Sequence, residues 1–502
     1  MFAKIKFSAA AVAAALLLTG CNSTVMNAHL QKREMMDCYV SGRYNAAVNE
    51  VEHELRPPSI FNTSKVNSVD EVMWRVEAGA LNCIVGRDDR SIEHFDRAEA
   101  LIEDFDNRAL INLRAAGSET TGILTNPCAL PYRGWCRDRM MIPVYKAFAY
   151  LGKGSEEGFQ TELYSLRFKQ DDVMAKYEKF FDAENAATER AKQSNSDAAS
   201  SASSDTVMRH SQNGEFSSSM ADTNLIAHRG YANFLNPMAI FLSAYGYMRK
   251  GDYQNALVDC ERLYKAMPLN PFIKNYYANC LRLAGRSVPA ELQNEPNFGF
   301  RPEAGNVLVV FANGRGAALR QVSLYIPIVI PGHYATVACV AFPICVFYPA
   351  PDPFMDIAAD GKQYRTSTIA DLDGILAAEY VRRLPGMLTR IVLNTAAKEV
   401  GSYFANRAVA KSNGWVRLIV GLSTLVYKVT FNTADTRAWE VLPREFQVAQ
   451  LPMPQDRKLV LTVGGNHTTV EIPEKAGSAI VLIHAPGGPG SDFSYRVFPL
   501  QK

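Results

Sequence analysis

Apolar positions along this chain change their period three times, and each change marks a switch between helix and strand. From Ala28 to about residue 290, helix formers dominate, β-branched runs are scarce and apolar residues recur at helical spacing. At Gly305 the pattern turns to alternation. Val307 to Phe311, the Asn313-Gly314 pair and Arg320 to Ile326 read as a hairpin, and Tyr334 to Tyr348 as further strand with a break near Pro343. A helical insertion is expected over 366–431. Thr368 to Leu384 has Asp371 and Asp373 near its start and Arg382 and Arg383 at its end, as the helix dipole favours. Met387 to Lys411 forms a second helix. Trp415 to Phe431 is apolar over most of its circumference, with only Arg417 and Lys428 charged, which suits a core better than a membrane surface. Strands return at Phe446 to Leu451, Leu459 to Val463, Thr468 to Ile472, Ala479 to His484 and Tyr495 to Phe498, with a turn at Gly464-Gly465-Asn466. The expected class is α+β: an N-terminal α-helical repeat array, then an antiparallel β-sheet domain with a helical insertion.

One phrase recurs in the helical half. Tyr247, Gly251, Tyr253 and Ala256, closed by Pro268, resemble a tetratricopeptide repeat, in which a small residue ends the first helix and an alanine lets the second approach it. Weaker copies sit at Gly42, Tyr44 and Ala47, at Gly86, Asp88 and Ser91, and near Ala147 to Gly152. Unrelated helical hairpins with small residues at their crossings are the alternative. From Lys192 to Ser219 large apolar residues nearly vanish, and a flexible segment is expected.

The N-terminus carries an address. Lys4 and Lys6 precede an uncharged apolar stretch from Phe7 to Leu18, too short to span a bilayer, and Leu18-Thr19-Gly20-Cys21 follows. These four residues resemble the lipobox of bacterial lipoproteins. The resemblance implies removal of residues 1–20, lipidation of Cys21 by three acyl chains and, with Asn22 in place of an aspartate, sorting to the periplasmic face of the outer membrane. The alternative is an ordinary signal peptide with a structural cysteine. The expected units are a signal peptide over 1–20, a lipidated tether over 21–27, a helical domain over 28–290 with its flexible segment at 192–219, and a β-rich domain over 291–502.

Charge and cysteine content narrow the rest. The chain has 502 residues, 53 basic and 51 acidic, and loss of the leader brings the two signs level. A nucleic-acid partner is not expected. Eight of the nine cysteines remain for pairing in an oxidising compartment, nearest neighbours being Cys260 with Cys280, Cys128 with Cys136, Cys38 with Cys83, and Cys339 with Cys345. A metal site is not expected, because no histidine or cysteine stands at ligand spacing. No nucleophile elbow, P-loop or dinucleotide fingerprint occurs, Gly314-Arg315-Gly316 lacking the third glycine, so neither catalysis nor a cofactor is expected.

Ala434-Asp435-Thr436-Arg437-Ala438-Trp439, leading to Leu442-Pro443, stands apart from the periodic segments. With the order of lipobox, degenerate repeats, proline-bearing strands and helical insertion, it resembles a family of bacterial outer-membrane lipoproteins without assigned activity. Asp435 and Arg437 are expected to pair, with Trp439 packing the junction between helices and sheet. The function expected is a membrane-anchored scaffold for protein partners in the envelope. The alternative is a peptidoglycan or glycan binder with aromatics such as Tyr132, Trp135 or Tyr495 on a groove, and an enzyme of unrecognised type comes third.

Overall fold

The computed structural model describes residues 27–56, 69–115, 128, 130–194, 214–296, 305–330, 334–349, 352–408, 433–488 and 492–501. Cys21, the signal segment and the expected helix at Trp415 to Phe431 lie outside the described residues. Mixed helix and sheet are observed, an α+β arrangement with twelve α-helices and three sheets among the described residues.

Helices come first. They are α1 (Ala28–Gln31), α2 (Arg33–Val40), α3 (Tyr44–Glu54), α4 (Glu71–Val85), α5 (Asp88–Ala115), α6 (Cys136–Gly152), α7 (Glu156–Ser194), α8 (Gly214–Ala227), α9 (Pro237–Arg249), α10 (Tyr253–Ala266) and α11 (Pro271–Leu283). Four pairs pack as hairpins: α2 on α3, α4 on α5, α6 on α7 and α9 on α10. Every one of these turns contains a left-handed glycine, Gly42, Gly86, Gly154 or Gly251, with φ between 72° and 81°. That conformation costs other L-residues energy, and it reverses the chain within three residues. Residues 192–194 and 214–219 of the expected flexible segment are helical, as the ends of α7 and α8.

The strands are β1 (Asn306–Asn313), β2 (Ala318–Ile330), β3 (Tyr334–Val346), β4 (Asp356–Ala359), β5 (Lys362–Arg365), β6 (Ser367–Asp371), β7 (Glu445–Pro452), β8 (Lys458–Val463), β9 (Asn466–Glu471), β10 (Ser478–Ala485) and β11 (Ser494–Leu500), with α12 (Leu372–Ala408) between β6 and β7. The main sheet has the order β11-β10-β1-β7-β6. It is mixed, since β1 runs parallel to β10 and antiparallel to β7. Its two faces divide by residue parity. Leu308, Val310 and Ala312 pack into one apolar core with the helices, while Val307, Val309 and Phe311 face the sheet β5-β4-β8-β9. The result is a helix layer and a second sheet on opposite sides of one central sheet, with the first core crossing residue 290.

Several local expectations are corrected. β1 and β2 do not form a hairpin: β1 is buried along its whole length between β10 and β7, and β2 pairs with β3 instead. Pro343 does not break β3: it pairs with Gln321 in an unbroken register, as a proline can where its nitrogen points away from the partner strand. The segment at Thr368 begins as strand, and Asp371 then caps α12 by accepting from the Gly374 N–H at 2.8 Å. Residue 385 is no boundary, since α12 runs through Pro385. The β4–β5 hairpin was not anticipated, although Asp360-Gly361 is a strong turn pair and both residues have positive φ.

The cysteine pairings are corrected as well: no two cysteines among the described residues stand at disulfide distance. Cys339 and Cys345 lie on the same strand, six residues and roughly 20 Å apart. Cys128 points its sulfur at the Ala434 carbonyl at 3.5 Å, whereas Cys136 starts α6 beside Glu379. Cys38 is half-buried on α2, and the Cys83 sulfur lies 3.9 Å from Arg496. Cys260 and Cys280, on the packed helices α10 and α11, are adjacent thiols.

Candidate functional site

The most unusual environment in the molecule is an extended ribbon, residues 433–444, that belongs to no sheet and is buried over most of its length. A buried backbone without strand neighbours must find other partners for its N–H and C=O groups. Here side chains of the first helices supply them. Glu77 of α4 accepts from the N–H groups of Glu440 at 2.8 Å and Val441 at 3.0 Å. Lys32 donates to the Ala438 carbonyl, Arg137 of α6 to Trp439 O at 3.1 Å, and Tyr39 of α2 to Val441 O at 2.9 Å. Asp138 accepts from the Trp439 N–H at 3.3 Å, and the Trp135 indole donates to Arg437 O at 3.1 Å. The ribbon therefore crosses three successive helix pairs. On its far side Gly316 donates to Leu442 O at 2.8 Å, so close that a β-carbon at Gly316 would meet that oxygen at 2.7 Å.

Two charge clusters anchor it. In the first, Arg437 grips Asp435 with two hydrogen bonds of 2.8 Å, reaches Asp70 at 3.0 Å and donates to the Leu130 carbonyl at 2.9 Å. Burial works against the guanidinium charge, but Asp435 and Asp70 outweigh it and hold the group firmly protonated. Burial raises the Asp70 carboxyl from its ordinary value, against the pull of Arg437. Ala28, Gln31, Asp70, Cys128, Ala434, Thr436 and Arg437 line a cavity of about 10 Å³ here. That volume suits a single water molecule.

In the second cluster, fully buried Lys32 lies 2.9 Å from Glu77 and 3.3 Å from Glu440. Glu440 also meets His29 and Arg315, each at 3.1 Å. Burial alone would raise the Glu440 carboxyl; Lys32, His29 and Arg315 bring it down to about 2. Glu77 is raised by its burial, and Lys32 is raised because its two acids outweigh desolvation. Farther along, Asp373 at the start of α12 accepts from the Ala317 N–H at 2.7 Å, and burial together with Asp371 lifts it to about 7.

Trp439 is fully buried against Phe95 and Tyr145, with ring centroids 5.8 and 5.7 Å away. Asp435, Arg437 and Trp439 thus sit together in the ribbon, joined to helices from the far end of the sequence. Of the repeat signature, Ala256 is buried, Gly251 makes its turn, and the Tyr247 ring meets Tyr164 at a tilt, with centroids 4.7 Å apart. Tyr253 starts α10, and Pro268 follows its end. Tyr132 and Trp135, expected on an open groove, are both buried, because their polar atoms serve Asp138 and the ribbon; Tyr495 is 40% exposed.

The acids and bases that hold the ribbon were not anticipated from sequence. The available sign was charge inside apolar surroundings: Glu77 between Val76 and Ala78, and Arg137-Asp138-Arg139 just ahead of Met140 to Val144. The geometry makes a clamp. Burial raises the Cys83, Cys128 and Cys345 thiols to about 12. No group of three metal-binding side chains occurs among the described residues, and no described helix is long and apolar enough to cross a membrane. No family model, curated protein or solved structure matches this chain.

Proposed function

We propose that this chain is a lipid-anchored lipoprotein of the outer membrane, facing the periplasm, whose tetratricopeptide-like helix pairs serve as a scaffold for protein partners in the envelope. The observation that supports this most is the ribbon. Side chains on α2, α4 and α6 hold an extended peptide through its backbone groups, the chemistry by which helical repeats bind peptides. In this chain residues 433–441 already occupy that surface. A partner therefore docks elsewhere on the array, and Val258 on α10 and Leu269 just after it are 52% and 87% exposed. The role is one of binding, not catalysis. Glycan binding, the alternative, retains Tyr495 as its exposed aromatic.

A photo-activated cross-linker at Val258 in intact cells, followed by mass spectrometry, tests the reading. A discrete envelope protein is the expected adduct; cross-links to cell-wall glycan alone, with retention of the protein on purified sacculi, would replace it with the alternative. Cys21→Ser should leave the membrane fraction.

A further inference from the structure

The β2–β3 arm stands apart from the other two sheets. Among the described residues these strands pair only with each other. One face of the arm is covered: Val322, Leu324, Ala338, Val340 and Phe342 are buried, and Phe342 meets Phe216 of α8 at 5.6 Å. The other face presents Tyr325 and Val337, 63% and 64% exposed and diagonal neighbours across the ladder. From Gln321 to Pro351 the chain contains no Asp, Glu, Lys or Arg. Soluble proteins usually protect an open two-stranded edge with charge, above all lysine.

The edges are blocked by other means. Pro327 pairs with Val337, and Pro343 with Gln321, in an unbroken register. Both pairs share the parity of Tyr325 with Cys339, so the ladder persists only if both proline nitrogens point outward. Each outer edge then lacks a donor, which opposes the addition of another strand. The exposed face is left as the contact surface, and an uncharged face bearing a tyrosine suits the boundary between lipid and water.

Its position relative to the chain start selects the occupant. α1 packs against β2, Thr436 donates to the Asn27 side chain at 2.7 Å, and the Ala434 N–H donates to Gln321 at 2.9 Å. The first described residue therefore lies beside the root of the arm. Asn27 is six residue steps along the chain from Cys21, a reach of at most about 20 Å. We infer that the exposed face of the β2–β3 arm, carried by Tyr325 and Val337, rests on the lipid surface that holds Cys21, as a second membrane contact that orients the protein. This builds on the lipid-anchor reading above.

The test uses the full chain on vesicles of phosphatidylethanolamine and phosphatidylglycerol. In a Cys339→Ser parent, which also provides the labelling blank, Val337→Cys carries an environment-sensitive dye, and Lys362→Cys on β5 carries it in a reference sample. Vesicles are expected to cut iodide quenching at 337 at least threefold and admit a lipid-borne quencher, with 362 unchanged. Equal iodide quenching with and without vesicles overturns the proposal. So does complete shielding of 337 before vesicles are added, which would assign the face to a second copy or to residues 415–431. Fractionation separates the two readings. Tyr325→Asp with Val337→Asp, at exposed positions and with an unchanged thermal midpoint, should weaken vesicle binding at least threefold; no change counts against the arm. If Cys21→Ser stays on the membrane until those aspartates are added, the arm stands and the lipid anchor fails.

Discussion

Strand β1 and the 433–444 ribbon are both extended and buried, yet they solve the same problem by opposite means. β1 finds its hydrogen bonds in two neighbouring backbones and fills both faces with apolar side chains. The ribbon belongs to no sheet and takes many of its bonds from side chains of the helical half, two carboxylates, a lysine and an arginine among them. The first solution is insensitive to charge and the second depends on it. Ion pairs of this kind are poor general stabilisers, but removing one partner leaves the other buried and uncompensated. The ribbon is therefore specified sharply and tolerates little.

The contrast breaks most clearly at Glu77. Glu77→Ala removes the acceptor for two ribbon N–H groups and a counter-charge of Lys32, and should cost about 3 to 5 kcal/mol in urea unfolding. Adding Lys32→Met to that variant should recover part of the loss. In β1, Leu308→Ala opens a cavity and should cost about 3 kcal/mol, with the same loss at every pH.

Acid sharpens the comparison. Glu440 titrates near 2 when folded and near 4.5 otherwise, so its contribution is present above pH 4.5 and is lost as pH falls towards 2. Asp373 works the other way. Its folded value near 7 exceeds the ordinary 3.8, so stability declines as pH rises from about 4 to about 7. Thermal midpoints across pH 3 to 8 should show both limbs, and Asp373→Asn, which keeps the oxygen facing Ala317, should flatten the upper one. The smallest effect is expected at an exposed pair, where Lys458→Ala, opposite Glu471, should change stability by less than about 1 kcal/mol.

Much of the local structure was legible in the chain. Strands β7 to β11 follow their alternating segments, and the left-handed glycines mark the helix turns. What failed were choices that depend on distant neighbours. Adjacency in the chain favours joining β1 to β2, but β1 is buried throughout and lies between β7 and β10, strands that arrive more than a hundred residues later. Thr368 resembles a helix cap until β7 claims it as strand. Asp435, Arg437 and Trp439 were visible as a motif. Their partners were not, because Asp70, Glu77 and Asp138 lie hundreds of residues earlier and nothing local pairs them.

Lys32 and the Ala438 carbonyl it serves are separated by 406 residues. In a chain that emerges N-terminus first, α1 to α6 are complete long before the ribbon exists. Until it arrives, Glu77, Asp138 and Lys32 have no backbone to hold, and burying them dry would be prohibitive. The helical half must wait, hydrated and loosely closed, for almost the last seventh of the chain. Such a half-finished state keeps its charged groups in water, and a chain cut short before residue 433 would never leave it.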